Sequence, residues 1–277
     1  MALIQGDGDK IGKILESIDD KPKEIQKFSQ KLLEFSQVIP KIAKEYGATV
    51  VYAGGDDMLA FAPLLNANGT VFDFLVELDK KFIDMIKELE LPEVENVSQS
   101  FGVSLIYYKK PLYQALNKAL YNLFGVAKAG KKRNRAVVEL IKHSGQTYKV
   151  DMFLKSDCYD IFNKLMRIEL SIKESALPHG VAHNLKRSTK LLKNLADGDE
   201  LALYLENFFT NNFNKEVHAN EKTQEVITLV RLLLLEHLKA YAKNRTEDEE
   251  KNEELFEKEF NHFISLLSII KHLRGDR

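Results

Sequence analysis

Four aspartates stand among glycines in the first part of the chain: Asp7 and Asp9 in GDGD, and Asp56 and Asp57 in GGDD. Carboxylates with so little bulk around them suit hard divalent cations, which prefer oxygen ligands. Phosphoryl transfer between nucleotides uses two such cations, one activating the attacking hydroxyl and one holding the leaving pyrophosphate. If a strand runs through GDGD, Asp7 and Asp9 point the same way, because side chains alternate along a strand. Asp7, Asp56 and Asp57 are therefore read as catalytic metal ligands for two Mg²⁺ or Mn²⁺ ions. Gly8, Gly54 and Gly55 are placed at the nucleotide, since glycines let a triphosphate approach the backbone, and Asp9 is placed with them as a residue that assists or shapes the loop. GGDD alone is equally a turn, Gly and Asp being common turn residues. Its two apolar flanks and the second cluster at GDGD favour the site.

A basic cluster, AKAGKKRNR (Ala127 to Arg135), supplies counter-charge that a triphosphate needs beyond its metals. Lys128 and Lys132 are the preferred phosphate ligands and Arg135 the third. The competing reading is a helix carboxyl terminus that attracts cations, followed by a turn.

Other features are weaker as sites. His179 and His183, four apart in HGVAH, lack the glutamate of the zinc-protease pattern and read as surface histidines at a helix start. Cys158, in SDCYD, has no basic or histidine neighbour and reads as an unreactive thiol. The run VITLVRLLLLEHL reads as the core helix of a second domain.

The acidic clusters must be positioned by the elements around them. ALIQG (Ala2 to Gly6) is a first strand, and Lys23 to Tyr46 is a helix carrying Phe28, Leu32, Phe35 and Ile39 on one face. ATVVYA and MLAFAP flank GGDD closely enough to form a hairpin. A helix from Val71 to Leu89 and a strand from Ser98 to Tyr108 follow. Strand, helix, strand, strand, helix, strand is the ferredoxin-like order of polymerase palms. A helix from Leu112 to about Lys128 and a strand from Ala136 to Ile141 extend it. Beyond Val150 only helical patterns remain: His179 to Leu195, Glu200 to Phe213, Glu221 to Ala242 and Glu253 to Leu273. The expected fold is α+β: a ferredoxin-like palm over residues 1–150 and an all-α domain over 151–277.

Composition bounds the rest. The 277 residues are 44% hydrophobic with a formal net charge of −1, so polyanion binding must be local. One cysteine excludes an intrachain disulfide and a multi-cysteine zinc site. The greasiest run, Val226 to Leu235, is interrupted by Arg231 and too short to span a bilayer. A cytoplasmic protein without membrane contact is expected.

The segments ALIQGDGDKIGKIL, VVYAGGDDMLAFAP, SFGVSLIYYKKPLYQALNKA and VAKAGKKRNRAVVEL, in this order, resemble the large polymerase-like subunit of type III CRISPR effector complexes. More distantly they resemble GGDEF diguanylate cyclases, from which GGDD departs. IKHSGQT is similar to the Cmr-type variant of that subunit. Tyr108 stands where the family often has His. The resemblance implies conversion of ATP into cyclic oligoadenylate second messengers when a guide RNA complex engages target RNA. It also implies that Asp7, Asp56 and Asp57 bind metal, that Lys128 lies near the triphosphate, and that the helical domain docks neighbouring subunits. The family's HD nuclease, first palm and zinc segment are not visible, so the chain is expected to correspond to the carboxyl-terminal half. Two alternatives stand beside this reading: a miniature homodimeric cyclic dinucleotide synthase, and a non-catalytic structural subunit docking through its helices.

Overall fold

Strand β1 (Ala2–Asp9) forms the centre of a sheet because Ala2, Leu3 and Ile4 are apolar in succession and covered on both faces. The computed structural model describes residues 1–107, 109–168, 184–196, 200–212 and 221–275. Contacts divide the chain into two units, Met1–Ser156 and Asp157–Arg277.

In the first unit β1 is followed by α1 (Ile11–Ser17) and α2 (Pro22–Glu45), then by the hairpin β2 (Thr49–Gly54) and β3 (Asp57–Ala62). A short ladder, β4 (Leu65–Asn66) with β5 (Gly69–Thr70), leads into α3 (Val71–Lys87), and β6 (Ser98–Ile106) returns to the sheet. β1 pairs antiparallel with both β3 and β6, and β2 pairs with β3. This is the ferredoxin-like arrangement read from the sequence. Two further strands complete the order β2-β3-β1-β6-β7-β8. β7 (Arg135–Ile141) runs parallel to β6, and β8 (Thr147–Phe153) pairs antiparallel with β7 at the edge. A parallel neighbour requires a crossover, supplied by α4 (Leu112–Leu120) and its π-helical continuation Tyr121–Ala127.

The helices form where apolar residues recur at helical spacing. α2 starts with Pro22 in its first turn and buries Phe28, Phe35, Ile39 and Ile42, carrying Pro40 in its interior. α3 is capped by Thr70, whose Oγ1 accepts from the Phe72 and Asp73 amides at 3.1 Å. Asp73 accepts in return from the Thr70 amide at 2.8 Å. Phe35 of α2 meets Phe82 of α3 with ring centroids 4.9 Å apart.

Four details differ from the sequence expectation. α1 is a helix in its own right, the Leu112–Lys128 helix changes to π geometry at Tyr121, and β8 continues the sheet to Phe153. The expected strand to Tyr108 ends at Ile106, and Tyr108 lies outside the described residues.

The described part of the second unit is helical: α5 (Asp157–Arg167), α6 (Thr189–Leu195), α7 (Leu201–Asn212), α8 (Glu221–Lys243) and α9 (Glu249–Gly275). VITLVRLLLLEHL forms much of α8, which buries Val226, Val230, Leu233, Leu234 and Leu238. Phe263, Leu267 and Ile270 of α9 are buried with them. His179 and His183 lie outside the described residues. No described helix is long and apolar enough to cross a membrane.

Candidate active site

The site lies where β1 ends beside the turn of the β2–β3 hairpin. Gly54 pairs with Asp57, closing the hairpin, and Gly55 turns the chain with φ of +64°, where a side chain would be strained. Asp56 thereby comes against Gly8. A Cβ on Gly8 would stand 2.7 Å from Asp56 Oδ2, so only glycine lets strand and hairpin approach this closely. The Gly8 amide donates to the Asp56 carboxylate. Gln99, opposite Gly8 on β6, donates Nε2 to the Asp56 carbonyl at 3.1 Å.

Asp7, Asp56 and Asp57 are partly buried at this end of the sheet. Burial raises the Asp56 pKa, and the neighbouring Asp57 charge raises it further. Burial likewise raises that of Asp57, whose Oδ1 is buried without a hydrogen bond. Lys128, at the carboxyl end of the π segment, reaches across the strands: its Nζ contacts Asp7 Oδ2 and donates to the Gly8 carbonyl at 2.6 Å. Burial and the adjacent Arg133 guanidinium lower the Lys128 pKa to about 8, while the Asp7 carboxylate in contact favours its charged form.

Asp9 has a different place from the one expected. It is fully buried, and its Oδ2 accepts from Ser98 Oγ at 2.7 Å, Ser100 Oγ at 2.8 Å and the Asn134 amide at 3.0 Å. Oδ1 has no hydrogen bond, but Arg133 Nε is 3.7 Å away and Lys128 Nζ 3.9 Å. Burial raises the Asp9 pKa against the pull of these donors. Asp9 ties β1 to β6 and to the loop before β7.

The basic cluster divides too. Arg135 is not free for phosphate: its guanidinium grips Asp151 of β8 through Nε at 2.8 Å and through Nη2, and Nη1 donates to the Val126 carbonyl at 3.2 Å. It joins the two edge strands. Lys132 is exposed and its Nζ lies 5.4 Å from the Phe153 ring centroid, where no described contact links it to the carboxylates. Only Lys128 of the three expected phosphate ligands meets them.

Several residues of the site were not singled out in the sequence. Arg133 was passed over within its own cluster. Asn134 has φ of +61° and offers its amide to Asp9. Asp79 of α3 is buried and accepts from the Gln99 amide at 2.7 Å. A carboxylate four residues after Leu75 on an apolar helix face was the available signal. Ser98, Gln99 and Ser100 open a buried strand with three polar residues in succession, which was another.

Among the described residues no three His, Cys, Asp or Glu side chains stand in a metal-holding arrangement. The Lys128 ammonium lies on Asp7 and on the Gly8 carbonyl, the oxygens that β1 offers. The donor set nevertheless fits a hard divalent cation: carboxylates from two strands, one with a buried oxygen that no protein group satisfies.

Residues 1–137 match the family model described as "Cas10/Cmr2, second palm domain". Over 123 residues the chain is 32% identical to "CRISPR system Cmr subunit Cmr2" of Pyrococcus furiosus. That match covers 43% of this chain and 13% of the relative, so the chain spans a small part of the relative's length. With the ferredoxin-like sheet and GDGD beside GGDD in place, residues 1–137 are similar to the Cas10/Cmr2 second palm domain in fold as well as in sequence.

Proposed function

We propose that the first unit is a metal-dependent nucleotidyltransferase that joins ATP into cyclic oligoadenylates, as a subunit of a type III CRISPR effector with guide RNA. One observation carries this reading: Gly8 and Gly55 press the hairpin against β1, so that Asp7 and Asp56 of a Cas10/Cmr2 palm share one sheet end with Lys128. Divalent cations, when bound, polarise the α-phosphate and activate the attacking ribose hydroxyl. Asp7, Asp56 and Asp57 would hold them. Lys128 would exchange its contacts with Asp7 and Gly8 for the β- and γ-phosphates, a transfer its long stem allows. Asp9, Asp79 and Gln99 keep β1, α3 and β6 in register beneath them. Crowded carboxylates are costly without cations, which favours this reading over a purely structural palm.

Joining nucleotides needs a second nucleotide held near the first, and the chain carries one set of these motifs. Another subunit is therefore assigned that task. The test mixes the purified chain with each nucleoside triphosphate and Mn²⁺, measuring binding by calorimetry and products by mass spectrometry. Metal-dependent ATP binding with slow or no turnover is expected. Asp56→Ala with Asp57→Ala should lower any product formation at least about a hundredfold and weaken metal-dependent ATP binding while the fold persists. Undiminished binding in a folded double variant sinks the proposal. Rapid, concentration-dependent synthesis of a cyclic dinucleotide would instead establish a homodimeric enzyme.

A further inference from the structure

Beside the carboxylates, past Asp9, an open groove offers about 410 Å³ of space. Five cations line it: Lys10, Lys131, Lys132, Arg133 and Lys155. The chain as a whole carries a net charge of −1, so this is a strong local excess. The one carboxylate in the lining, Glu95, is engaged by Lys87 at 2.7 Å. Lys10 and Lys131 make no ion pair among the described residues, and Lys155 comes no nearer a carboxylate than 3.8 Å, to Asp79. Like charges held in one groove repel, and the fold supplies little to offset that. A polyanion would.

We propose that this groove binds a single-stranded oligoribonucleotide through its phosphodiester backbone. Three observations favour a strand over the triphosphate of one bound nucleotide. The groove is separated from Asp7 and Asp56 by the buried Asp9, which faces Arg133. The triphosphate already has Lys128 and the carboxylate-held cations as its counter-charge. An aromatic ring, Phe153, is exposed in the lining next to Lys132, and cations interleaved with an aromatic surface are what a strand uses, phosphates on the cations and a base on the ring. Lys10 follows Asp9 directly in the chain, so a strand in the groove would lead to the carboxylates. That direction and the assignment of Lys128 to the triphosphate rest on the nucleotidyltransferase reading; the five cations and Phe153 of the groove do not.

The test is fluorescence anisotropy with a labelled oligoriboadenylate of about six nucleotides, within the usual site size of such grooves. Affinity is read at several salt concentrations for the full chain and its variants. Wild type should bind with a steep salt dependence. Lys131→Ala with Lys155→Ala should weaken binding about tenfold and flatten the logarithmic salt slope by about 0.7 per cation removed. Phe153→Ala should weaken binding about tenfold with an unchanged slope, the mark of lost stacking. Asp56→Ala with Asp57→Ala should leave strand binding intact, which separates this proposal from the preceding one. Strand affinity unchanged in the double lysine variant, or binding of inorganic triphosphate without binding of the strand, overturns it.

Discussion

Asp7 and Asp9 sit two residues apart on the same face of one strand and meet opposite surroundings. Asp7 is reached by Lys128 at the rim, whereas Asp9 is sealed under two serine hydroxyls and the Asn134 amide. Asp9→Ala should therefore cost about 2–4 kcal/mol of stability, because it strands buried donors and removes the partner facing Arg133. Asp7→Ala should cost less than about 1 kcal/mol. Urea unfolding of the two variants distinguishes them, and equal losses would contradict these roles. Lys128→Ala should weaken ATP binding with Mn²⁺ about tenfold or more, the scale of a charged hydrogen bond, and change AMP binding little. Identical ATP affinities in variant and wild type would leave Lys128 a site-bound cation without a role at the phosphates. The carboxylates themselves were legible in the sequence, since glycine-flanked aspartates on two apolar strands announce their neighbourhood. What each does was not, because burial depends on β6 and the loop before β7, far away in the chain.

Among the elements, the ferredoxin-like order β2-β3-β1-β6 followed from alternating strand and helix patterns. The edge was harder to read. TYKVDMF alternates, with Val150 and Met152 buried, but only one face is covered, so its polar residues resemble a loop. The π segment is invisible to a periodicity argument, which continues one helical repeat through it. Missing β8 also hid the partner of Arg135, and the arginine was assigned to phosphate. Arg135→Lys keeps the charge but loses the fork that holds Asp151. It should lower stability by about 1–2 kcal/mol and leave Mn²⁺-dependent ATP affinity unchanged. Loss of ATP affinity without loss of stability would return Arg135 to the phosphates.

For the molecule as a whole, one pH response is built into the helical unit. In the helical unit His237 donates Nδ1–H to the Leu233 carbonyl at 2.8 Å, which leaves Nε2 to accept from His262 Nδ1 at 2.7 Å. Burial lowers the pKa of His237, and burial with the neighbouring His237 and Lys258 lowers that of His262 to about 3. Unfolded histidines titrate near about 6.5, so below that value the unfolded chain binds more protons than the folded one. Stability from this pair is complete above about 6.5 and drains away as pH falls toward about 3. Replacing both histidines by leucine should flatten the acid side of the helical unit's denaturation profile. A profile unchanged by the double substitution would place the acid sensitivity elsewhere.

The position of β1 also governs the timing of assembly. The first strand made is the centre of the sheet, yet its neighbours are β3 and β6, and Asp9 is not satisfied until Asn134 exists. During synthesis β1 must wait through most of the unit, because pairings this distant in sequence form slowly. A nascent chain stopped before β7 holds a carboxylate whose amide donor has not been made. Asp9 is thus among the last groups of the unit to gain all its partners, although its strand is the first of the unit to be made.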